Sequence, residues 1–326
     1  MIKKTYLALW GSILISLGFA GFLSGAFLGI LQIFIANSAF KHFIEQLIWY
    51  SAMPVVVGVT LVLLDVFFLV AHKRTVKIIL DDPVINSKIT VALTAYNDEL
   101  SISDSVKDFL SSEFVARVIV ISNNSSDNTI QIAQQAGAII YNESKQGYGP
   151  CVKRALAEAA KFEDTGLVIL CEGDMTFRSH DIPKFLAYIH HAEVVNGTRI
   201  VEQLQDSNTQ VTNFIHYGNF AVAKLLEMKM LGDVTLSDVG TTYKMIRRNA
   251  LLDLLPKLND NVNLEFNAHF IETCVTYGHS VLEIPITFYP RVGLSKGASA
   301  SFWSAMKIGV RMIFGILFGW GKAGHE

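Results

Sequence analysis

The segment KITVALTAYNDE, residues 88–99, decides the fold of this chain. Its first eight residues, Lys88–Ala95, are mostly apolar and β-branched, which predicts a short buried strand. The polar residues after Ala95 predict a loop at the end of that strand. A helix is expected next, from Ser101 to Ser111. The segment therefore opens a repeating order of strand, loop and helix.

This alternation continues downstream. Further strands are predicted at Arg117–Ser122, Ala138–Tyr141, Leu167–Cys171 and Glu193–Asn196, and helices at Asp127–Ala136 and Pro150–Phe162. The alternation predicts an α/β domain with a mainly parallel sheet and helices on both faces. Ligands of such sheets bind at the carboxyl ends of the strands. Function is therefore expected in the three loops at 96–99, 123–129 and 172–177.

The third of these loops contains the triplet Glu172-Gly173-Asp174 directly after an apolar strand. Two carboxylates separated by one residue can hold a hard divalent cation, which can also bridge the phosphates of a nucleotide. An acidic triplet in a solvated turn would look the same when taken alone. The apolar strand before it and the two neighbouring polar loops favour a metal site, with Glu172 and Asp174 as ligands.

The first loop offers an aromatic face at Tyr96 and carboxylates at Asp98 and Glu99, a set suited to a base and a ribose. The second loop, residues 122–129, is dense in short polar side chains, of which Asn123 is a candidate for binding the same ligand.

Two more positions are candidates for binding the nucleotide, one in the second loop and one in a separate turn. Asp127 is a candidate contact to the nucleotide, although Ser126 or Asp127 could simply cap the following helix. Gly147 lies in a polar turn before a helix. There, backbone amides could approach a phosphate at the helix N-terminus.

The composition points to a membrane. Of 326 residues, 51% are hydrophobic and 17% are charged, against about 25% charged residues in a typical soluble chain. The net charge of −2 gives no reason to expect nucleic acid as a partner. Three scattered cysteines indicate neither a zinc site nor a disulfide framework. They fit buried, reduced thiols in a domain that faces the cytosol.

The apolar excess lies in two runs, Tyr6–Ala36 and Leu47–Ala71. Both exceed the ~20 residues that a membrane span needs. The connector carries Lys41 with His42 and Glu45, whereas Lys3 and Lys4 precede the first run and Lys73, Arg74 and Lys77 follow the second. Because positive charge prefers the cytoplasmic side, the runs predict a hairpin with both ends inside and Trp49 and Tyr50 in the outer interfacial belt.

Two features inside the hairpin call for close contacts. Gly21, Gly25 and Gly29 recur every four residues. They would allow close approach of the second helix or of another subunit, so a homo-oligomer is one expectation. Asp65 interrupts the second run. An intramembrane charge suggests function, but we favour a carboxylate near the inner leaflet that a neighbour or water neutralises.

Seven motifs in order resemble glycosyltransferase family 2, with its GT-A fold, and especially the polyprenyl-phosphate glycosyltransferases similar to dolichol-phosphate mannose synthase. They are TAYNDE (94–99), ISNNSSDNT (121–129), CEGDMTF (171–177), VVNGTR (194–199), SDVGTTYKMIRR (237–248), LEFNAHF (264–270) and EIPITFYPRVGLSK (283–296). The resemblance covers about residues 89–296, and several ordered motifs make it specific.

The resemblance implies a nucleotide-diphospho-sugar donor, an undecaprenyl or dolichyl phosphate acceptor, and Mg²⁺ or Mn²⁺. It implies that Asp174 and Glu172 hold the metal and that a closing segment with Arg291, Ser295 and Lys296 binds the donor diphosphate. It implies Arg199 near the acceptor phosphate, and Asp238 is a candidate for orienting the acceptor or the sugar. A single displacement would invert the anomeric configuration.

Three residues depart from the family pattern. Ser122 replaces an aspartate of the second loop, Glu172 replaces the first aspartate of the metal triplet, and Thr94 replaces a proline. The Q-x-x-R-W motif of processive synthases does not occur in the sequence, which disfavours polymer extension. The departures leave one alternative function open, a catalytically silent GT-A module that binds nucleotide sugar or scaffolds a membrane partner.

Three domains are expected: a transmembrane hairpin at 1–78, a cytoplasmic GT-A catalytic domain at 79–298, and an amphipathic interfacial helix at 299–326. Lys307 and Arg311 divide the last segment, so it fits a helix lying in the membrane interface. A third span or an oligomer contact are the alternatives. The chain is expected to be an integral membrane protein, with a bacterial plasma membrane favoured over the endoplasmic reticulum.

Overall fold

A computed structural model describes residues 6–35, 37–70, 81–84, 86–201, 204–205, 213–293 and 302–320. The chain forms two compact units. One comprises Met1–Arg74 with Met228–Gly232, and the other comprises Thr75–Glu227 with Asp233–Glu326. We call them the hairpin unit and the sheet unit.

The hairpin unit contains two long apolar helical segments. They comprise α1 (Leu7–Gln32), then α2 (Ser38–Tyr50), α3 (Ala52–Leu64) and a π-helical turn (Asp65–Leu69). Leu7–Gln32 and Ser38–Leu69 are each long and apolar enough to cross a membrane. The second begins earlier than predicted, because Asn37 Oδ1 accepts hydrogen bonds from the backbone N–H groups of Ala39 and Phe40. The predicted connector residues 41–45 are therefore helical.

Glycines bring the two segments together. A methyl group on Gly11 would lie 2.6 Å from the Gly58 carbonyl oxygen, and one on Gly58 would lie 2.4 Å from the Gly11 carbonyl oxygen. Gly21 and Gly25 face the second segment at similarly short range, which confirms the predicted packing within the chain, whereas Gly29 has ordinary van der Waals space. The tightest contact, between Gly11 and Gly58, was not predicted.

Asp65 is buried and accepts a hydrogen bond from a neighbouring helix, while its neutralisation stays a prediction. Its Oδ2 atom accepts a hydrogen bond of 2.6 Å from the backbone N–H of Ala8. Ala8 lies in the first turn of α1, where N–H groups lack intrahelical partners and the helix dipole favours a negative charge. Asp65 therefore stabilises the start of α1, so its burial has a structural explanation.

The sheet unit is built on seven strands in the order β3-β2-β1-β4-β6-β5-β7. Their bounds are β1 Ile89–Ala95, β2 Val115–Ser122, β3 Ile139–Asn142, β4 Leu167–Glu172, β5 Val194–Thr198, β6 Lys244–Arg247 and β7 Val281–Pro285. The first five correspond to the predicted strands, whereas β6 and β7 had no separate prediction.

The sheet is mainly parallel, as predicted, with one reversed strand. β1, β2, β3 and β4 are parallel, and so are β5 and β7, but β6 runs antiparallel between β4 and β5. Lys244, the first residue of β6, pairs with Leu170 near the end of β4. The reversal therefore brings the loop before β6 to the edge where the parallel strands end. We call this edge of the sheet the catalytic edge, after the function that the sequence predicts there.

Helices cover both faces of the sheet. They are α4 (Ile102–Leu110), α5 (Thr129–Gln135), α6 (Tyr148–Ala159), α7 (Ile182–Tyr188), α9 (Arg248–Leu254) and α10 (Phe266–Thr276), and the chain also forms α8 (Asn213–Lys229) and α11 (Phe302–Phe318). One apolar core contains Phe109, Phe185 and Tyr243, and the other contains Phe266 and Phe270. All five side chains are essentially fully buried, so the sheet is a rigid platform for its loops.

Helix α11 packs by one face against the rest of the sheet unit, where it contacts α10. Ile308, Met312 and Ile316 are buried. The chain then turns back at Gly319, and the indole N–H of Trp320 donates to Glu272 Oε2 on α10 at 2.9 Å. The opposite face exposes large apolar side chains: Phe302, Trp303, Val310, Ile313, Phe314 and Phe318.

Candidate active site

The loops after β1, β2 and β4 each contain a non-glycine residue in the left-handed region. The φ angles are +50° at Asn97, +56° at Asn124 and +67° at Met175. Asparagine adopts this conformation fairly readily, but it is unfavourable for methionine. Such backbone is retained where surrounding contacts enforce it, often at functional sites.

The first two loops are joined to each other by hydrogen bonds. Asp127 Oδ2 accepts from the backbone N–H of Glu99, and its Oδ1 accepts from Thr129 at the start of α5. Glu99 Oε2 in turn accepts from the backbone N–H of Asn128. Asp127 therefore makes the predicted helix-capping contact, and both carboxylates hold the loops in place. Nucleotide contacts by Glu99 and Asp127 stay predictions.

Asparagines hold the turn that contains Gly147. Asn123 Oδ1 accepts from the Gly147 N–H at 2.8 Å, and Asn263 Oδ1 accepts from the Gly149 N–H at 3.2 Å. Gly147 has φ of +138°, and a Cβ there would lie 2.9 Å from Asn263 Oδ1. Two amides at the start of α6 that could have met a phosphate thus already have partners. Asn123 and Gly147 shape this turn, and their contacts to substrate stay predictions.

Ser122, where the family pattern has aspartate, is fully buried. Its Oγ atom lies 2.9 Å from Ser125 Oγ. The Ser125 hydroxyl accepts from the backbone N–H of Asn97 in the first loop. A neutral hydroxyl network thus occupies the position of the usual carboxylate. Next to it, Tyr96 keeps 39% of its surface exposed.

An acidic pole forms where the first and third loops meet. The Arg291 guanidinium joins two carboxylates, with Nη2 3.1 Å from Asp98 Oδ1 and Nη1 3.1 Å from Asp174 Oδ2. Asp98 is 8% exposed and Asp174 only 1%. The backbone N–H of Val292 also donates to the Asp174 carbonyl oxygen. The structure therefore brings together three predicted site residues that lie far apart in the chain.

Asp174 has one structural oxygen and one available oxygen. Its Oδ1 accepts hydrogen bonds from the Thr176 backbone N–H and hydroxyl, which closes the turn through Met175. Among the described residues, Oδ2 accepts no hydrogen bond, although it makes the ion pair with Arg291. A buried carboxylate oxygen with no donor fits a cation ligand.

Glu172 faces the same pole at the end of β4. Burial, and then the negative charge of Asp174, raise the pKa of Glu172 to about 7. Its Oε1 accepts a hydrogen bond of 2.7 Å from the Thr242 hydroxyl. The described residues contain no group of three or more His, Cys, Asp or Glu side chains that could hold a metal. A divalent cation here would thus have these two carboxylates as protein ligands, with phosphate and water supplying the others.

Arg199 and Asp238 form a second charged feature at the catalytic edge. Arg199 Nε lies 2.7 Å from Asp238 Oδ2, and its Nη2 lies 2.8 Å from Oδ1. Burial opposes ionisation of Asp238, but Arg199 outweighs it and holds the pKa of Asp238 below its usual value. Glu283 accepts from the backbone N–H groups of Ser237 and Asp238 and so fixes their loop. Glu283 was not among the predicted site residues.

Arg199 keeps one end available. Among the described residues, no hydrogen bond involves its Nη1, since Asp238 takes Nε and Nη2. The pairing was not predicted, because the two residues are 39 positions apart in sequence. Ser295 and Lys296, the other predicted donor contacts, lie outside the described residues.

A third group of polar residues lies behind Glu172 and was missed by sequence analysis. Tyr148, Thr242, Asn267 and Lys244 are hydrogen-bonded to one another. Lys244 has no exposed surface. Burial lowers the pKa of Lys244 to about 7. The available signal was a lysine inside the apolar stretch YKMI, at a position that should be buried.

The loops that carry most of the predicted site residues thus meet at one edge of a GT-A-like sheet. The chain belongs to glycosyl transferase family 2, whose domain matches residues 90–255. The chain is therefore an enzyme that uses a nucleotide-sugar donor, and not the catalytically silent module that the sequence had left open.

Individual relatives agree with this assignment. A dolichyl-phosphate hexose transferase from Haloferax volcanii is 27% identical over 209 residues, covering 64% of this chain and 86% of the relative. Protein RfbJ from Shigella flexneri is 28% identical over 123 residues, covering 37% of this chain and 91% of the relative.

A solved structure supports the fold. Glucosyl-3-phosphoglycerate synthase from Mycobacterium tuberculosis, in complex with Mn²⁺, UDP and glucosyl-3-phosphoglycerate, aligns with a TM-score of 0.52. The alignment covers 71% of this chain and 80% of that one at 16% identity. The GT-A-like prediction is thereby confirmed.

Proposed function

We propose that this glycosyltransferase moves a sugar from a nucleotide-diphospho-sugar to a polyprenyl phosphate at the cytoplasmic face of a membrane, with inversion at the anomeric carbon. The observation that carries the proposal is the pair of separate charged features at one sheet edge. The acidic pole at Asp174 suits a donor with its cation, and the Arg199–Asp238 pair suits an acceptor phosphate. The name of the Haloferax relative supports a lipid phosphate as acceptor.

In the donor half, Glu172 and Asp174 would hold Mg²⁺ or Mn²⁺. A bound cation would neutralise charge on the leaving diphosphate. Arg291 now compensates one of these two carboxylates, Asp174, together with Asp98. Once a cation provides that compensation, Arg291 is able to bind a diphosphate oxygen, and Ser295 and Lys296 follow it in the same segment. The donor would then be held from both sides.

In the acceptor half, Asp238 aligns Arg199 and leaves Nη1 for a phosphate oxygen. Guanidinium groups bind phosphate strongly because their N–H donors are fixed in one plane. A phosphate monoester with a second pKa near about 6 is mostly ionised at neutral pH. It therefore needs little help from a general base, and catalysis rests on positioning and charge neutralisation.

Several surfaces are suited to a membrane location. The two apolar segments of the hairpin unit have spanning length. Helix α11 exposes one apolar face that also carries Lys307, as an interfacial helix would. Phe214 on α8 is exposed and packs against Phe302 of α11 with the rings tilted and their centroids 4.5 Å apart, which extends this apolar surface. We therefore propose that α11 lies in the interface.

The topology of the hairpin can be tested by cysteine labelling. A cysteine at Ser38 should react with an impermeant maleimide on intact cells, and one at Ser87 should react only after the membrane is opened. Both serines are exposed, whereas the native Cys151, Cys171 and Cys274 are buried and should stay silent. The opposite pattern would place the sheet unit outside and contradict a cytosolic donor.

The proposed reaction is tested by a screen of donors. Membranes containing the protein are incubated with Mn²⁺ or Mg²⁺, a polyprenyl phosphate and one radiolabelled UDP- or GDP-sugar at a time, and the lipids are then extracted. We expect one donor to give a radiolabelled lipid that mild acid cleaves, as a phosphate-linked sugar should be. Label in an acid-stable glycolipid would contradict the acceptor, and water-soluble label with every donor would contradict the proposed function.

A further inference from the structure

The side chain of Lys244 is fully buried. Its ammonium donates to the Thr241 carbonyl oxygen at 2.6 Å, the Thr242 carbonyl oxygen at 3.3 Å and Asn267 Oδ1 at 3.0 Å. Three acceptors thus match its three N–H donors. Among the described residues it makes no ion pair, although buried charges are normally paired. The burial of this charge can be explained by following the hydrogen bonds that begin at Asn267.

These hydrogen bonds form a chain to the acidic pole. Asn267 Nδ2 donates to Tyr148 Oη at 2.9 Å, and Tyr148 Oη lies 2.6 Å from Thr242 Oγ1. Thr242 Oγ1 donates to Glu172 Oε1 at 2.7 Å. Lys244 and Glu172 are thereby connected through three uncharged side chains.

When Lys244 is charged and Glu172 is ionised, one direction of hydrogen bonding satisfies every group in this chain. The ammonium of Lys244 only donates, so Asn267 must turn its oxygen toward it and its NH₂ toward Tyr148. The single proton of Thr242 goes to the Glu172 carboxylate, so Thr242 must accept from Tyr148. Burial raises the pKa of Tyr148 far above its usual value, so this hydroxyl keeps its proton. All donors therefore point from the lysine to the carboxylate, an arrangement in which each bond polarises the next.

We infer that Lys244 is a positioning residue for Glu172, acting through Asn267, Tyr148 and Thr242. The chain fixes the longer glutamate side chain that replaces the family's aspartate, so that its free oxygen is available to the cation. The inference rests on the proposed function only in making Glu172 a metal ligand. Residues that orient a metal ligand in this way typically change metal affinity by about 10- to 100-fold when mutated.

The test measures Mn²⁺ binding to the full-length protein in detergent, with saturating UDP or GDP, by electron paramagnetic resonance of the free ion. Thr242→Val and Tyr148→Phe each remove one hydroxyl, and we expect each to weaken Mn²⁺ binding by about 10- to 100-fold. Thr242→Ser keeps the hydroxyl and should restore affinity. The matched control is Thr241→Val, because Thr241 is equally buried but its hydroxyl has no hydrogen-bonding partner among the described residues.

Lys244→Met tests the far end of the chain. If Lys244 acts through Tyr148, the double variant Lys244→Met, Tyr148→Phe should bind Mn²⁺ no more weakly than the weaker-binding of the two single variants. If the losses of Mn²⁺ affinity in the two single variants multiply in the double variant, the inference is overturned. If Lys244→Met does not fold, Thr242→Val decides. If Thr242→Val binds Mn²⁺ as tightly as Thr241→Val does, the inference is overturned. Failure of the unaltered protein to bind Mn²⁺ with either nucleotide would instead contradict the metal in the proposed function, and the inference with it.

Discussion

Asp174→Asn is expected to reduce sugar transfer by at least about 100-fold, the loss seen when one electrostatic contact to a transition state is removed. Asparagine keeps an oxygen for the Thr176 N–H and hydroxyl, so the turn should survive. It removes the negative charge that faces Arg291 and that would hold the cation. Transfer is measured by lipid extraction, and Mn²⁺ binding is measured in parallel.

The choice of asparagine matters because Asp174 is buried rather than a free loop carboxylate. Alanine would in addition leave the Thr176 N–H and hydroxyl without their acceptor, so a folding defect would be confused with a catalytic one. Asp104→Asn, at an exposed position on α4, is the matched control and should be fully active. Full activity of Asp174→Asn, or turnover undiminished by chelator, would remove the metal from the mechanism.

Neutralising the pair Arg199 and Asp238 should separate acceptor chemistry from donor chemistry. The double variant Arg199→Gln, Asp238→Asn is expected to lose about 30- to 1000-fold in transfer to polyprenyl phosphate, or roughly 2–4 kcal/mol in the transition state. It should retain Mn²⁺-dependent nucleotide binding and slow donor hydrolysis, because water as nucleophile needs no guanidinium. Both residues are changed together so that no isolated charge remains buried.

The comparison variants for this experiment lie on the donor side. Arg291→Ala and Lys296→Ala should slow transfer and hydrolysis alike, because both reactions release the same diphosphate. Transfer and hydrolysis are followed in one assay, as label in the lipid extract and as free sugar in water. If the double variant slowed hydrolysis as much as transfer, the assignment of Arg199 to the acceptor would be wrong. An unimpaired double variant would remove the best basic residue from the lipid-phosphate proposal.

The sequence predicted the strands of the sheet best where they are parallel and buried. β1, β2 and β4 are buried parallel strands with continuous apolar runs, so their pattern was clear. β6 was not predictable, because its four residues begin with Lys244 and end with Arg247. Burial of Lys244 depends on Asn267, which no local pattern can indicate. The start of α2 was misjudged for a similar reason, since a capping asparagine outweighs the charged residues that follow it.

The candidate site was predictable as a set of loops but not as a set of contacts. Sequence motifs indicated Asp98, Asp174 and Arg291 separately, and the structure joins them at one pole. Arg199 and Asp238 had been given independent roles, whereas they form one ion pair. For Asp127 a bond to the start of the next helix had been considered, whereas the bond of Glu99 to the backbone of Asn128 had not. Long-range pairing between polar groups is the information that local spacing lacks.

The left-handed backbone conformation of Met175 lowers the stability of the third loop but orients the carboxylate of Asp174. A bulky residue in this region costs of order 1–3 kcal/mol, and the hydrogen bonds from Thr176 to Asp174 Oδ1 retain it. The same bonds aim the other oxygen, Oδ2, at the acidic pole. Relaxation of the backbone at this one residue would release that energy and turn the carboxylate away. Selection for thermal stability alone would therefore work against the position of the proposed metal ligand.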